Sequence, residues 1–228
     1  MKLPELQRRL LADVFAVGSH FPLVLTGGHA VRAHGLVDRP SRDLDLATET
    51  AVPMTEIVRA LQAGLQARGW HVVQVETEPL AARLMVTDPV AGEECEVDVL
   101  KETMWRPPVQ TEDGPVIAME DLVGTKMRAL AGRGLARDLI DIRAAGAHWS
   151  RIELEQHGRR HARDDFDLTD LQARLCGAEW IDDREFAAYG LDEAAVADLR
   201  RWAQQWADDI GERLAEEAPY EEPPSEEE

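Results

Sequence analysis

Two closely spaced aspartates give the chain a pattern that could hold metal ions. Asp43 and Asp45 are separated by one leucine within the segment DLDLA. In an extended strand this spacing places both carboxylates on one face, while Leu44 and Leu46 enter the core. Two carboxylates at such a short distance repel each other unless a cation lies between them. Mg²⁺ is a suitable cation, because it takes oxygen ligands and leaves room for phosphates. A solvated strand face without metal is the alternative interpretation.

A third acid, Asp98, lies in the later segment ECEVDVL. Its side chain points away from the apolar face that Cys95, Val97 and Val99 form in a strand. If this strand neighbours DLDLA, Asp98 becomes a third carboxylate over the same ions. Three acids can hold two Mg²⁺ ions, which stabilise the attacking and leaving oxygens of a phosphoryl displacement. Taken alone, Asp98 is an exposed strand acid.

Two consecutive glycines, Gly27 and Gly28, follow the apolar run FPLVLT. A strand that runs into glycines and then a helix start presents bare backbone N–H groups at a positive dipole end, which suits a triphosphate. Ser41 lies two residues before Asp43, and its hydroxyl could donate a hydrogen bond to a phosphate or cap the turn. A plain turn is the alternative for the glycines.

Lys126 lies inside the apolar stripe of a predicted helix. It follows Leu122 by four residues and precedes Leu130 by four, so the three share one helix face. A lysine there is costly unless its ammonium group reaches solvent or meets an anion. A nucleotide phosphate is one such anion, and an ammonium group that reaches solvent is the alternative.

Hydrophobic periodicity predicts the elements that position these residues. FPLVLT and DLDLA are predicted strands, and a helix is predicted from about Pro53. WHVVQVE, ARLMVT and ECEVDVL are three further strands, the last two joined by DPVAGE as a hairpin loop. From Glu120 onward the pattern is helical. The predicted helices there span 120–132, 135–146, 151–162, 167–176 and about 192–214.

The predicted fold class is therefore α/β (α+β), in three parts. Residues 1–115 form a mixed α/β core, and residues 116–214 form a helical C-terminal part. Residues 215–228 hold seven acids and no bases, so we expect a disordered acidic tail.

Charge and composition narrow the function classes. The net charge of −19 argues against a general nucleic-acid binder, although bases cluster at 126–143 and 151–163, where an anionic partner should bind. The two cysteines form no CxxC motif, which favours a reducing cytoplasm. No apolar run approaches the roughly 20 residues of a membrane span, so no membrane partner is expected.

In their order along the chain, GGHA, SRDLDL, EVDVL and KMRALAGRGLARDLIDI resemble the minimal nucleotidyltransferases of the DNA polymerase β superfamily. More narrowly, the chain resembles the AbiEii/AbiGii-type nucleotidyltransferase toxins, including the MenT-like group, from about residue 22 to 146. The resemblance implies a mixed β-sheet flanked by helices and transfer of a nucleotide from NTP to an acceptor hydroxyl. In related toxins the acceptor is the 3′ end of tRNA, and an antitoxin is the partner.

The resemblance also implies roles for individual residues. Asp43 and Asp45 match the paired metal ligands, and Asp98 matches the third acid, a candidate base for the attacking hydroxyl. Lys126 matches a lysine near the nucleotide phosphates. The other matches are Gly27 and Gly28 to the nucleotide loop, Ser41 to its hydroxyl, and Asp138 or Asp141 to the late acidic motif.

Other interpretations stay open at this point. Asp138 and Asp141 could form an intrahelical ion-pair set with Arg137, and His29 and His34 fit structural histidines with satisfied hydrogen bonds. The acidic surface would also suit transfer to a cationic small molecule such as an aminoglycoside, or to a protein hydroxyl. A non-catalytic module that binds a protein partner is the alternative from another class.

Overall fold

One mixed seven-stranded sheet organises the first half of the chain in the computed structural model, which describes residues 3–162 and 166–217. The strand order is β3-β4-β5-β2-β1-β7-β6, with β2–β5 and β1–β7 parallel and the other neighbours antiparallel. The strands are β1 Val24–Leu25, β2 Leu44–Thr48, β3 His71–Thr77, β4 Ala81–Thr87, β5 Glu94–Lys101, β6 Val109–Thr111 and β7 Gly114–Val116.

Helices cover one face of the sheet and form most of the second half. None of those in the described residues is both long and apolar enough to span a bilayer. The helices are α1 Glu5–Val17, α2 Gly27–Ala33, α3 Met54–Ala67, α4 Met119–Arg133, α5 Ala136–Ala145, α6 Arg151–Ala162, α7 Leu168–Gly177, α8 Asp183–Ala187 and α9 Glu193–Glu217.

Strand alternation separates the core from the polar face of the sheet. On β2, Leu44 and Leu46 are fully buried, and on β5 Val97 and Val99 are too. These side chains pack with the apolar stripes of α1 and α3 in one cluster. Because neighbouring residues on a strand point to opposite faces, the aspartates between them face the other side. The mixed α/β fold class is confirmed.

The buried apolar side chains form two clusters that meet within α4. The first runs from Leu10 to Leu122 and contains the sheet, α1 and α3. The second runs from Val123 to Ile210 and contains the C-terminal helices. A boundary between two domains at residue 115 stays a prediction.

Some elements differ from the sequence-based expectation. The β6–β7 hairpin and the short helix α8 were not predicted, because β6 is wholly exposed and shows no apolar alternation. Helix α9 continues to Glu217, past the predicted end at 214, since Ala215, Glu216 and Glu217 are strong helix formers. The rest of the predicted acidic tail, residues 218–228, lies outside the described residues.

Candidate active site

The parallel pairing of β2 with β5 brings the predicted acids to one wall of a cleft. Asp45 and Asp98 are direct register partners, so their backbones lie about 4.8 Å apart. Asp43 comes immediately before β2 on the same face. All three line a cleft of about 540 Å³, together with Gly27, Gly28, Ser41 and Lys126. The expected neighbourhood of the two strands is thus observed.

Asp45 carries an unfavourable electrostatic environment. Burial is the largest influence and raises the pKa of its carboxyl group. The positive charge of Lys126 opposes that shift, and the carboxylates of Asp98 and Asp43 raise the pKa further. The net direction is upward, chiefly because the carboxylate is buried, and the two neighbouring acids add to the cost of its charge. A cation placed between them would relieve it.

Arg83 on β4 engages the third acid. Its Nε and Nη2 atoms donate to the two carboxylate oxygens of Asp98 at 2.8 and 2.7 Å, and its Nε lies 3.1 Å from Glu96. Within residues 3–162 and 166–217, no three acidic, histidine or cysteine side chains converge tightly enough to hold a metal ion as they stand. Asp98 would therefore have to exchange Arg83 for a metal ion to serve as a ligand.

The glycine turn packs directly on the carboxylate of Asp45. Gly27 has φ +61°, and a Cβ added there would lie 1.8 Å from Oδ2 of Asp45. The backbone N–H of Thr26 donates to the carbonyl of Asp45 at 2.8 Å, which fixes the turn against β2. A Cβ on Gly28 would lie 2.5 Å from the Ser41 hydroxyl oxygen. Only glycines permit this approach of turn, serine and aspartate.

Helix α1 holds the segment that carries Ser41. The amide of Gln7, which is buried, donates to the carbonyl of Arg42 at 2.6 Å and to that of Ser41 at 3.4 Å. These bonds satisfy two carbonyls just before β2 begins. They explain why a glutamine occurs on the buried face of α1, which is otherwise apolar.

Gly27→Ala should reduce the nucleotidyl transfer that the sequence resemblance implies by about 100-fold or more, because the new methyl group must displace the Asp45 carboxylate and misplacements of about 1 Å cost rates of that order. The measurement is the initial rate of the transfer assay described below. Gly35→Ala is the matched control, since Gly35 has φ +70° and no atom within 4 Å of an added Cβ. Both variants carry a similar left-handed strain of about 1–2 kcal/mol. Equal rates in the two variants would contradict the packing role of Gly27.

Lys126 forms a salt bridge with a buried aspartate. Its Nζ lies 3.0 Å from Oδ2 of Asp141 on α5. The same carboxylate accepts from Arg39 at 2.7 Å twice, through Nε and Nη2. Arg39 is 3% exposed and Asp141 1%, so this is a buried network of two cations and one anion. Its excess positive charge lies on the cleft wall, where Arg39 and Lys126 are both lining residues.

Asp138 lies behind the cleft wall. It is fully buried, and its carboxylate accepts from Arg133 at 2.8 and 3.0 Å. Any influence of Asp138 on a nucleotide would act through Arg133, which lines the cleft. The alternative of an intrahelical set with Arg137 is not observed, because Asp138 and Asp141 pair with residues outside α5.

Sequence reasoning missed two basic residues of the cleft, Arg39 and Arg83, which lie outside the clusters of bases at 126–143 and 151–163. Arg83 could have been found, since extending the hairpin around DPVAGE symmetrically pairs residue 83 with Asp98. Arg39 could not, because its partner Asp141 is 102 residues away. Arg137 lines the cleft with no ion-pair partner in the described part of the chain. The basic lining residues are Arg39, Arg83, Lys126, Arg128, Arg133 and Arg137.

The two histidines near the glycines differ. His34 fits the structural expectation, since its Nε2 lies 2.7 Å from the carbonyl oxygen of Ile117. His29 is 3% exposed, and neither ring nitrogen has a hydrogen-bond partner among the described residues. Burial, with smaller contributions from the positive charges of Arg32 and Arg39, lowers the pKa of His29 to about 4. His29 is therefore neutral at physiological pH and carries no charge into the turn.

The mixed sheet, the glycine turn and the paired strand carboxylates agree with the fold that the sequence resemblance implies. The model of the family described as "Nucleotidyl transferase AbiEii toxin, Type IV TA system" matches residues 9–223. The chain belongs to this family of nucleotidyltransferase toxins. The resemblance found in the sequence is thereby confirmed.

Solved structures share the fold at low sequence identity. MenT4, a nucleotidyltransferase toxin from Mycobacterium tuberculosis H37Rv, is 18% identical over 92% of this chain and 90% of its own, with a TM-score of 0.58. JHP933 from Helicobacter pylori is 18% identical over 94% of this chain and 97% of its own, with a TM-score of 0.53. No curated protein matches the chain. These likenesses concern the fold alone.

Proposed function

We propose that the chain transfers a nucleotide from Mg²⁺–NTP to an acceptor hydroxyl, with Asp43, Asp45 and Asp98 as the metal-binding acids. The observation that carries this proposal is that these acids line one cleft together with six basic residues and with the glycine turn, which packs on Asp45. In the reaction the acceptor oxygen attacks the α-phosphorus of the NTP. The bond from that phosphorus to the bridging oxygen breaks, and pyrophosphate leaves.

The donor set fits Mg²⁺. The carboxylates of Asp43 and Asp45 are hard oxygen ligands, and their mutual repulsion is what a divalent cation neutralises. Two bound Mg²⁺ ions would supply charge stabilisation to the attacking and leaving oxygens. Asp98 would join them after releasing Arg83, and it would then be free to accept the proton of the acceptor hydroxyl.

The basic lining residues of the cleft and the glycine turn suit the triphosphate of an NTP. Gly27, Gly28 and Ser41 line the same cleft as Lys126 and Arg137. Lys126 can exchange part of its contact with Asp141 for a phosphate, because Asp141 keeps both bonds from Arg39. Asp138 would support the same phosphates indirectly by orienting Arg133.

The acceptor we propose is the 3′ end of tRNA, and the partner is an antitoxin. Membership of a type IV toxin–antitoxin family supports the antitoxin. The local charge favours an RNA more than the net charge of −19 does, since six basic residues offset the five acidic residues of the cleft lining. An anionic acceptor would otherwise be repelled by this protein.

The test is incubation of the purified protein with each α-labelled NTP and total tRNA, with Mg²⁺ or with EDTA. We expect label in RNA with at least one NTP, and none with EDTA. Parallel reactions offer an aminoglycoside and a protein extract as acceptors. Label that enters only those acceptors would contradict the tRNA assignment while leaving nucleotidyl transfer intact.

A further inference from the structure

We propose that Trp105, with Arg160 beside it, is a stacking platform for a nucleobase of the acceptor RNA, outside the catalytic cleft. The inference rests on the proposed function, because it concerns how the RNA acceptor approaches the site. The side chain of Trp105 lies in the segment between β5 and β6, and the residue is 54% exposed. Base stacking on an exposed aromatic ring contributes substantially to binding of single strands and tolerates any base.

The backbone on both sides of Trp105 is anchored. The N–H of Met104 donates to Oε1 of Glu49 at 2.7 Å, and the N–H of Arg106 donates to Oδ2 of Asp121 at 2.9 Å. The backbone that carries the exposed indole is therefore held at both neighbouring residues. Such preorganisation lowers the entropic cost of binding.

A buried contact between a carboxylate and a histidine supports the second anchor. Asp121 is 1% exposed, and its other oxygen lies 3.0 Å from Nε2 of His161 on α6. Burial by itself would raise the pKa of Asp121, but the hydrogen bonds from His161 and from the backbone of Arg106 and Trp105 lower it overall. The carboxylate is therefore charged at neutral pH and ties the Trp105 segment to α6.

The charge around Trp105 suits an anionic strand. The guanidinium of Arg160 lies over the indole ring, 5.6 Å from its centroid. Arg159 and Arg106 are also exposed, and the guanidinium of Arg106 lies 3.9 Å from Glu120. An arginine placed on an aromatic face can contact a phosphate while the ring stacks on a base.

Side-chain contacts connect this platform to the cleft. Glu102 at the cleft accepts from Nη1 of Arg128 at 2.9 Å, and the same Nη1 donates to the carbonyl of His161 at 3.0 Å. Arg160 precedes His161 on α6. Along the chain, Trp105 is seven residues beyond Asp98, which is at most roughly 23 Å. A short single-stranded segment can reach from one to the other.

The matched control for this surface is Trp180. It is 89% exposed, the most exposed tryptophan of the described residues, and it lies in a short 3-10 turn (Ala178–Trp180) of the C-terminal helices. No arginine lies over its ring among the described residues. Truncation of Trp180 also removes an exposed indole, but one that lies outside the anchored Trp105 segment and lacks that arginine over its ring.

The experiment is fluorescence anisotropy of a labelled single-stranded RNA ending in CCA with the full chain. We expect Trp105→Ala to weaken RNA binding about 10-fold and Trp180→Ala to leave it within twofold. Arg160→Gln should reduce the slope of log K against log salt by about 0.7, as loss of one phosphate contact on a single strand does. Binding of a fluorescent NTP should be unchanged in all three variants.

The proposal is overturned if Trp105→Ala binds RNA as wild type does, or if both tryptophan variants weaken it equally. Wild-type protein that labels a small molecule or a protein but binds no RNA also overturns it, while leaving nucleotidyl transfer standing. Failure of the proposed function differs, because NTP turnover would then be absent in wild type with every acceptor.

Discussion

Asp45→Asn should reduce nucleotidyl transfer on the order of 10³-fold while leaving the fold intact. The substitution keeps the size of the side chain and removes the charge that would hold the metal. Metal-assisted charge stabilisation contributes several kcal/mol to such reactions, and each 1.36 kcal/mol corresponds to tenfold in rate. The measurement is the initial rate of label transfer at saturating Mg²⁺.

The same variant should be as stable as wild type or more stable at neutral pH. The folded-state pKa of Asp45 is raised, chiefly by burial. A carboxyl group with a raised folded pKa binds more protons folded than unfolded, so its contribution to stability falls as pH rises from the unfolded pKa through the folded one. Above that window wild type carries the full cost, and asparagine removes it.

Glu94→Gln is the matched control for Asp45→Asn. Glu94 lies on β5, four residues before Asp98 on the same strand face, but it does not line the cleft. We expect its rate within twofold of wild type. An Asp45→Asn variant that is folded and retains more than a tenth of wild-type activity would contradict the metal-binding role of Asp45.

Asp141→Asn should lower the free energy of unfolding by about 3–5 kcal/mol, the usual cost of removing one partner from a buried ion pair. Asp141 is 1% exposed and accepts from Arg39, itself 3% exposed, and from Lys126. Asparagine keeps the volume but leaves two buried cations without an anion. Their repulsion and desolvation are then uncompensated.

Urea unfolding, followed by circular dichroism, measures this loss. Asp198→Asn is the control, since Asp198 pairs with Arg143 at 3.3 Å and Arg201 at 2.9 Å while 55% exposed. Surface pairs of this kind contribute only about 0–1 kcal/mol. If the two variants lose similar free energy of unfolding, the buried ion-pair network does not contribute the stability that its burial predicts.

Local pattern predicted the positions of the acids well. The alternation in DLDLA and ECEVDVL determines which side chains enter the core, because a strand has a period of two residues. The parallel pairing of the two strands then places Asp45 opposite Asp98. The sequence could not predict that these two strands pair, because parallel neighbours are usually far apart along the chain.

The partner of Lys126 could not be predicted from periodicity. Its position in an apolar stripe indicates an unusual environment, and the structure supplies Asp141 as the anion. Asp141 itself is shared with Arg39, which precedes a proline in a loop and has no periodic context. Contacts of this kind depend on how α4 and α5 pack against the loop before β2.

The β6–β7 hairpin shows the other limit of sequence reasoning. Its strands are three residues each, and Pro115 occurs within β7. Proline and exposed residues argue against a strand. The pairing of Leu25 with Val116 nonetheless adds this hairpin to the sheet beside β1, where burial of Val116 stabilises it.

A crystal structure with Mn²⁺ and a non-hydrolysable NTP would show where the metal binds, because the anomalous signal of Mn²⁺ locates it. We predict metal between Asp43 and Asp45, with Asp98 released from Arg83 and the phosphates against the glycine turn and the basic lining residues of the cleft. Fully occupied metal and nucleotide elsewhere on the protein, with the Asp98–Arg83 pair intact, would contradict this prediction.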